Sequence, residues 1–176
     1  ACGHVDTLGL FAVTAGLGVD AVTARLEQAG DDYEAIMIKA LSDRLAEAFA
    51  EQLHQRIRRE IWGYAPEEHF TNEERIRERY RGIRPAPGYP ACPDHYQKQV
   101  IFDLLNAEAH TGMQLTESYA MHPGASVSGF YFAHPDASYF RADSLGRDQV
   151  AAYAQFLGQP VSEVEMRLIN QLGYVP

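Results

Sequence analysis

Residues Arg84 to Pro93 read Arg-Pro-Ala-Pro-Gly-Tyr-Pro-Ala-Cys-Pro, four prolines and one glycine in ten positions. Each proline fixes φ near −65° and lacks an N–H, so neither a helix nor a central strand can run through this stretch. Each also drives the residue before it into an extended conformation, here Arg84, Ala86, Tyr89 and Cys92. The segment must therefore be stiff and extended, with backbone groups free for work other than a ladder. Gly88 has no Cβ, so a ligand or another backbone can come close there. Arg84 adds a planar cation and Tyr89 an aromatic face. These features suit a preorganised loop for a small anionic or zwitterionic ligand, but on the residues alone a rigid connector between two helices is the commoner reading.

The rest of the chain reads as alternating blocks. Leu8 to Thr14 is a short apolar run that fits a strand buried on both faces. Asp20 to Gln28 fits a short amphipathic helix ending at Gly30. Asp31 to Trp62 is the longest element. Its expected core face is Tyr33, Ile36, Met37, Leu41, Leu45, Ala48, Phe49, Gln52, Leu53, Ile57 and Ile61, with Asp31 as cap. Thr71 and Glu74 form a capping-box pattern that opens a helix to Tyr80, with Gly82 as terminator. Asp94 to Gln97 caps a helix whose expected apolar face is Val100, Ile101, Leu104 and Leu105, ending by Gly112. Gln114 to Met121 and Ser126 to Ala133 read as two strands of a hairpin turning at His122 to Ala125, and Ala137 to Ala142 as a third strand. Arg147 to Leu157 and Ser162 to Asn170 are helical, the second with a Ser162/Glu165 box. Helices and adjacent antiparallel strands in blocks argue an α+β fold with one long helix. With no repeat or low-complexity tract, residues 1–176 read as a single domain.

Composition removes several functions. A net charge of −9 and a pI near 5.2 speak against nucleic acid and against an anionic membrane surface as partners. No apolar run is long enough to span a bilayer and no signal peptide is visible, so the expected setting is cytoplasmic. Cys2 and Cys92 provide neither a disulfide framework nor zinc spacing. The seven histidines show no HxH, HxxxH or HExxH pattern, so no metal site is expected. Ser126 and Ser128 do not form a G-x-S-x-G elbow, and no G-x-G-x-x-G follows the first strand, which excludes a Rossmann-type methyltransferase. No catalytic acid–base pair stands out.

Four blocks carry a more specific signal: KALSDRLAEAFAEQLH (Lys39 to His54), RPAPGYPACPDH (Arg84 to His95), HTGMQLTESYAM (His110 to Met121) and PGASVSGFYFAHPD (Pro123 to Asp136). Together, and in this order, they resemble the C-terminal part of the activation domain of cobalamin-dependent methionine synthase, over about Leu8 to Tyr174. The resemblance implies S-adenosylmethionine as ligand and a role in reactivation. A flavodoxin-type reductant supplies an electron, the ligand supplies a methyl group, and cob(II)alamin held by a partner cobalamin-binding domain is remethylated, within methionine biosynthesis. It places Arg84 on the ligand carboxylate, the backbone of Ala86 and Gly88 against the ligand, and Tyr89 at the methyl-donor end. Tyr139 and Phe140 fall where the family has an aromatic pair, and Phe140 has no hydroxyl to contribute. Glu47 lies about 200° around the long helix from Leu45, where a solvated glutamate is the usual occupant. The resemblance assigns it to the ligand's α-amino or sulfonium charge, and Asp43, one turn earlier, to the cobalamin side. The competing reading is a binding module without methyl transfer. The family's domain is also longer on its N-terminal side, where one acidic ligand residue lies. On that ground the chain is expected to expose apolar surface near Leu8 to Val13, to bind ligand weakly and to self-associate.

Overall fold

The computed structural model describes Gly3 and residues 5–176; Cys2 lies outside the described residues. Strand β1 (Gly9–Thr14) pairs antiparallel with β4 (Ser126–Tyr131), in a register running from Gly9 opposite Tyr131 to Thr14 opposite Ser126. Phe11 and Val13 are buried on one face, while Leu10, Ala12 and Thr14 on the other are only half-buried. The strand is thus sealed on one side, not on two. Helices α1 (Val19–Gln28) and α2 (Asp32–Arg56) follow, and Asp31 caps α2 by accepting from the Glu34 N–H at 3.0 Å. A π-helical turn, Ile57–Ile61, extends α2.

Helix α2 lies across the β1–β4 pair on a row of small residues. Ser42, Ala46, Ala50 and His54, spaced four apart, are its buried face, and short side chains let a helix approach a sheet closely. Ala50 joins Phe11, Val13 and Tyr131 in the main core, where the Phe11 and Tyr131 rings stack at 4.7 Å. Of the large apolar residues expected to form that face, Leu53 and Ile57 near the C-terminal end pack against this core, and the earlier ones do not. Leu41, Leu45 and Phe49 are 56%, 61% and 49% exposed, and Tyr33, Ile36, Met37 and Ile61 are exposed too. The helix is turned so that its small row meets the sheet and the neighbouring large row faces outward. The uncovered apolar surface is therefore concentrated on α2 more than on β1.

Other elements are shorter than their patterns suggest. Helix α3 (Asn72–Ile76) has the full Thr71/Glu74 capping box but stops before Tyr80, because Glu78 takes a left-handed φ of 52°. Helix α4 (Gln97–Leu105) breaks at Asn106, also left-handed, before α5 (Ala107–Thr111) and Gly112. Its buried face is Lys98, Ile101 and Phe102, with Val100 and Leu104 exposed. The long strand expected over Gln114 to Met121 folds back on itself. Its ends pair as β2 (Gln114–Leu115) and β3 (Met121–His122) around a polar turn closed by the Tyr119 N–H to Thr116 carbonyl bond at 2.9 Å. The expected hairpin partner, β4, pairs with β1 instead. Ala137 to Ala142 forms no strand. Helix α6 (Arg147–Leu157) and helix α7 (Val161–Arg167) pack around Val150, Ala154, Val164 and Leu168. Pro160 is the N-terminal neighbour of α7, so the Ser162 box is not used.

The free edge of β4 positions the proline segment. Ile83 bridges Phe132, and the Phe130 N–H donates to the Pro85 carbonyl at 3.0 Å. Pro85 has no N–H to return, so pairing ends there. Gly129 makes the approach possible, since a Cβ on it would lie 2.6 Å from the Pro85 oxygen.

Candidate functional site

The proline segment leaves the sheet edge over a cavity of about 550 Å³, within the usual size range for small-molecule sites. Glu47, Arg84, Ala86, Tyr89, Tyr139 and Phe140 all line it, so six of the predicted residues converge there. Gly88 does not; it borders a smaller, separate cavity. Asp43 lines a neighbouring cavity of about 360 Å³ that shares Glu47, Tyr89 and Val127 with the first. The segment carrying Tyr139 and Phe140 is irregular and is tied to the proline loop by the Ala142 N–H, which donates to the Pro90 carbonyl at 2.8 Å.

Arg84 is held on one side only. Its Nη1 donates to the Tyr80 hydroxyl at 2.7 Å and pairs with Glu51 Oε2 at 2.7 Å, with His54 Nδ1 3.4 Å away. Its backbone N–H donates to the Tyr139 hydroxyl at 3.1 Å. No described residue takes a hydrogen bond from Nε or Nη2, so that edge of the guanidinium remains free for a bidentate carboxylate. The other ring nitrogen of His54, Nε2, faces the Tyr64 hydroxyl at 3.4 Å. Burial, with the charges of Arg58 and Arg84, lowers the His54 pKa to about 2 and keeps the ring neutral. Burial also pushes Tyr80 up to about 12, so its phenol stays protonated.

Beneath this cluster the Arg58–Glu68 pair is bidentate, with both contacts at 2.7 Å, and the Arg58 guanidinium lies 3.9 Å from the Tyr80 ring centroid. At the other end of the cavity the Tyr89 hydroxyl donates to Glu47 Oε1 at 3.4 Å.

Glu51, Tyr80 and His54 were not expected to belong here. Only Glu51 had a signal in the sequence: it stands four residues after Glu47 and eight after Asp43 on one helix face. Cys92 is half-buried, and burial beside Asp94 raises its pKa to about 11, so it stays a thiol. Among the described residues no three His, Cys, Asp or Glu side chains converge as a metal site would require. No helix of the structure is long and apolar enough to cross a membrane.

The space beside Gly88 is taken by protein. Gly88 has φ 98°, and a Cβ there would lie 2.8 Å from His95 Nε2. The His95 Nδ1 is in turn 2.7 Å from the buried Lys98 ammonium. Gly88→Val is therefore expected to lower stability by about 1–3 kcal/mol, from a left-handed β-branched residue and a displaced His95. Chemical denaturation of the ligand-free protein checks this, and an unchanged midpoint would contradict it.

The model of the vitamin B12-dependent methionine synthase activation domain matches residues 1–157. This chain belongs to that family. A solved MetH reactivation domain bound to AdoHcy is 60% identical to it, with a TM-score of 0.93. The match covers 96% of this chain and 52% of the other, so the chain spans about half the length of that activation domain. The α+β architecture is shared, and Arg84 to Ala91 of the proline segment supply much of the main cavity's lining.

Proposed function

We propose that this chain binds S-adenosylmethionine in the cavity under the proline segment. There it presents the sulfonium methyl for reductive remethylation of cob(II)alamin held by a cobalamin-binding partner domain. The observation that carries the reading is the half-satisfied Arg84: one edge fixed by Glu51 and Tyr80, the other open to a cavity lined by Tyr89, Tyr139 and Phe140. An amino-acid carboxylate fits that edge, and the aromatic rings offer faces to an adenosine. The similar domain's complex with AdoHcy, the demethylated product of such a transfer, supports the same ligand class.

The residues need only bind, orient and exclude water. The sulfonium leaves as a neutral thioether, so no general acid or base is required. When docked, cobalamin supplies the nucleophilic metal; the adjoining cavity with Asp43 and Ser126 opens from the Glu47–Tyr89 side and is where we place that partner. A flavodoxin-type donor as the source of the electron, and a cytoplasmic setting within methionine biosynthesis, complete the proposal. We further read residues 1–176 as part of one activation domain whose remainder covers Leu41, Leu45 and Phe49. Burying an apolar side chain of this size stabilises a contact by about 1.5–3 kcal/mol.

Arg84→Ala is expected to weaken AdoHcy and S-adenosylmethionine binding by about 1.5–3 kcal/mol, the scale of a charge-assisted hydrogen bond. Arg84→Lys should recover part of it, since an ammonium cannot reproduce the fork. Calorimetric titration decides the matter. An alanine variant that binds as tightly as the parent removes the clamp from the proposal.

A further inference from the structure

Residues 137–144 form one wall of the cavity, through Tyr139, Phe140 and Arg141, without joining a sheet. The stretch begins at a turn in which the Ala137 N–H donates to the His134 carbonyl at 3.1 Å, and it ends at Ser144, whose φ is 52°. Among the described residues two hydrogen bonds join it to the proline segment. One runs from the Ala142 N–H to the Pro90 carbonyl at 2.8 Å, the other from the Arg84 N–H to the Tyr139 hydroxyl at 3.1 Å.

This sparse attachment has a cause in the sequence. In an antiparallel pair, the main-chain groups of alternate residues face the partner strand and those between face away. Ile83 exchanges both bonds with Phe132, and the Pro85 carbonyl accepts from Phe130, so the Arg84 N–H points outward from the β4 edge. Pro85, Pro87, Pro90 and Pro93 have no N–H to offer. The N–H groups of Gly88, Tyr89 and Cys92 bond within the loop itself. Arg84 thus carries one of the few donors that the segment turns outward, and a side chain rather than a ladder meets it. Tyr80 and Tyr139 hold the same arginine in different ways. Tyr80 accepts from its side chain, while Tyr139 accepts from its main chain and lines the cavity with its ring. The adjoining Phe140 is exposed and has no polar group of its own to anchor it.

Resting on the reading of the cavity given above, we propose that Tyr139 is a positioning residue: its hydroxyl is occupied by the Arg84 N–H, and this clip sets the aromatic wall of Tyr139 and Phe140 against the adenosine half of the ligand. The residue whose guanidinium takes the carboxylate fixes, through its main chain, the wall that meets the other end.

Tyr139→Phe removes the hydroxyl and keeps the ring, and NMR of the isotope-labelled chain reads the result in two ways. Without ligand, the Arg84 amide should exchange with solvent about fivefold faster in the variant, the effect of one neutral hydrogen bond. The Ile83 and Phe132 amides, each bonded to the other residue's carbonyl, should keep the parent's rates. In titrations, AdoHcy and methylthioadenosine, which lacks the ammonium and the carboxylate, should both bind about fivefold more weakly. A loss confined to AdoHcy would overturn the proposal by placing the hydroxyl on the ligand's amino-acid group. An unchanged Arg84 exchange rate would overturn the clip, and unchanged affinity for both ligands would overturn its role in setting the wall. A parent chain that binds neither ligand overturns the reading of the cavity and the clip's role in it together.

Discussion

Glu68→Ala is expected to destabilise the protein by about 3–5 kcal/mol, because it leaves the Arg58 guanidinium buried without a counter-ion. The Arg58 side chain is 0% exposed and that of Glu68 3%, and Arg58 Nη1 already has no partner. The damage reaches the site. Arg58 lies over the Tyr80 ring, and the Tyr80 hydroxyl holds Arg84, so ligand affinity should fall with stability. Urea denaturation measures the first effect and titration the second. The double change Arg58→Met with Glu68→Leu should recover much of the stability, since it removes both charges together. A single-variant loss below 1 kcal/mol would mean that Arg58 reaches solvent.

Stability should also fall steeply as pH drops below about 6.5, at up to about 1.4 kcal/mol per pH unit for one proton. His54 is the source. Its pKa is about 2 in the folded protein against 6.5 as the ordinary value. Between those limits the unfolded chain binds a proton that the native state refuses. Stability therefore rises with pH through this window and is lost on acidification. His95, lowered by burial and by Lys98, adds a contribution of the same sign. By pH 4.5 the loss from His54 should reach about 2–3 kcal/mol. Melting curves of the parent and of His54→Gln at pH 7 and pH 4.5 separate this contribution, since the variant should lose most of the slope. An equal slope in both would place the acid sensitivity elsewhere.

Where local chemistry decides the structure, the sequence was readable. Asp31 and Thr71 cap the helices that their spacing announces, and the prolines from Pro85 to Pro93 keep that segment out of helix and end its pairing with β4 at Pro85. What failed was the choice of face. The 3.6-residue period of α2 identifies a helix but not what its apolar stripe meets. Here the small row Ser42, Ala46 and Ala50 allows a closer approach to the sheet than Leu41, Leu45 and Phe49 could. The alternation over Gln114 to Met121 was broken by Thr116 and Tyr119, whose turn uses hydrogen bonds no periodicity reveals. Of the residues that line the main cavity, Arg84, Tyr89 and Tyr139 were singled out from the family resemblance. Tyr80 and His54 were not, and Glu51 had only its helical spacing, because such a residue in a charged stretch reads as solvated until its neighbour from another segment is known.

Helix α2 bears Glu47 and Glu51 on one side and the outward row of Leu41, Leu45 and Phe49 on another, joined by a single rigid rod of 25 residues. Whatever packs on that row grips the same rod that sets Arg84. Any shift of α2 favoured by such packing alters ligand affinity by some factor, and thermodynamic reciprocity requires occupancy of the cavity to alter the packing by that same factor. The helix is thus a shared coordinate, through which filling the pocket and covering that outward row report on each other.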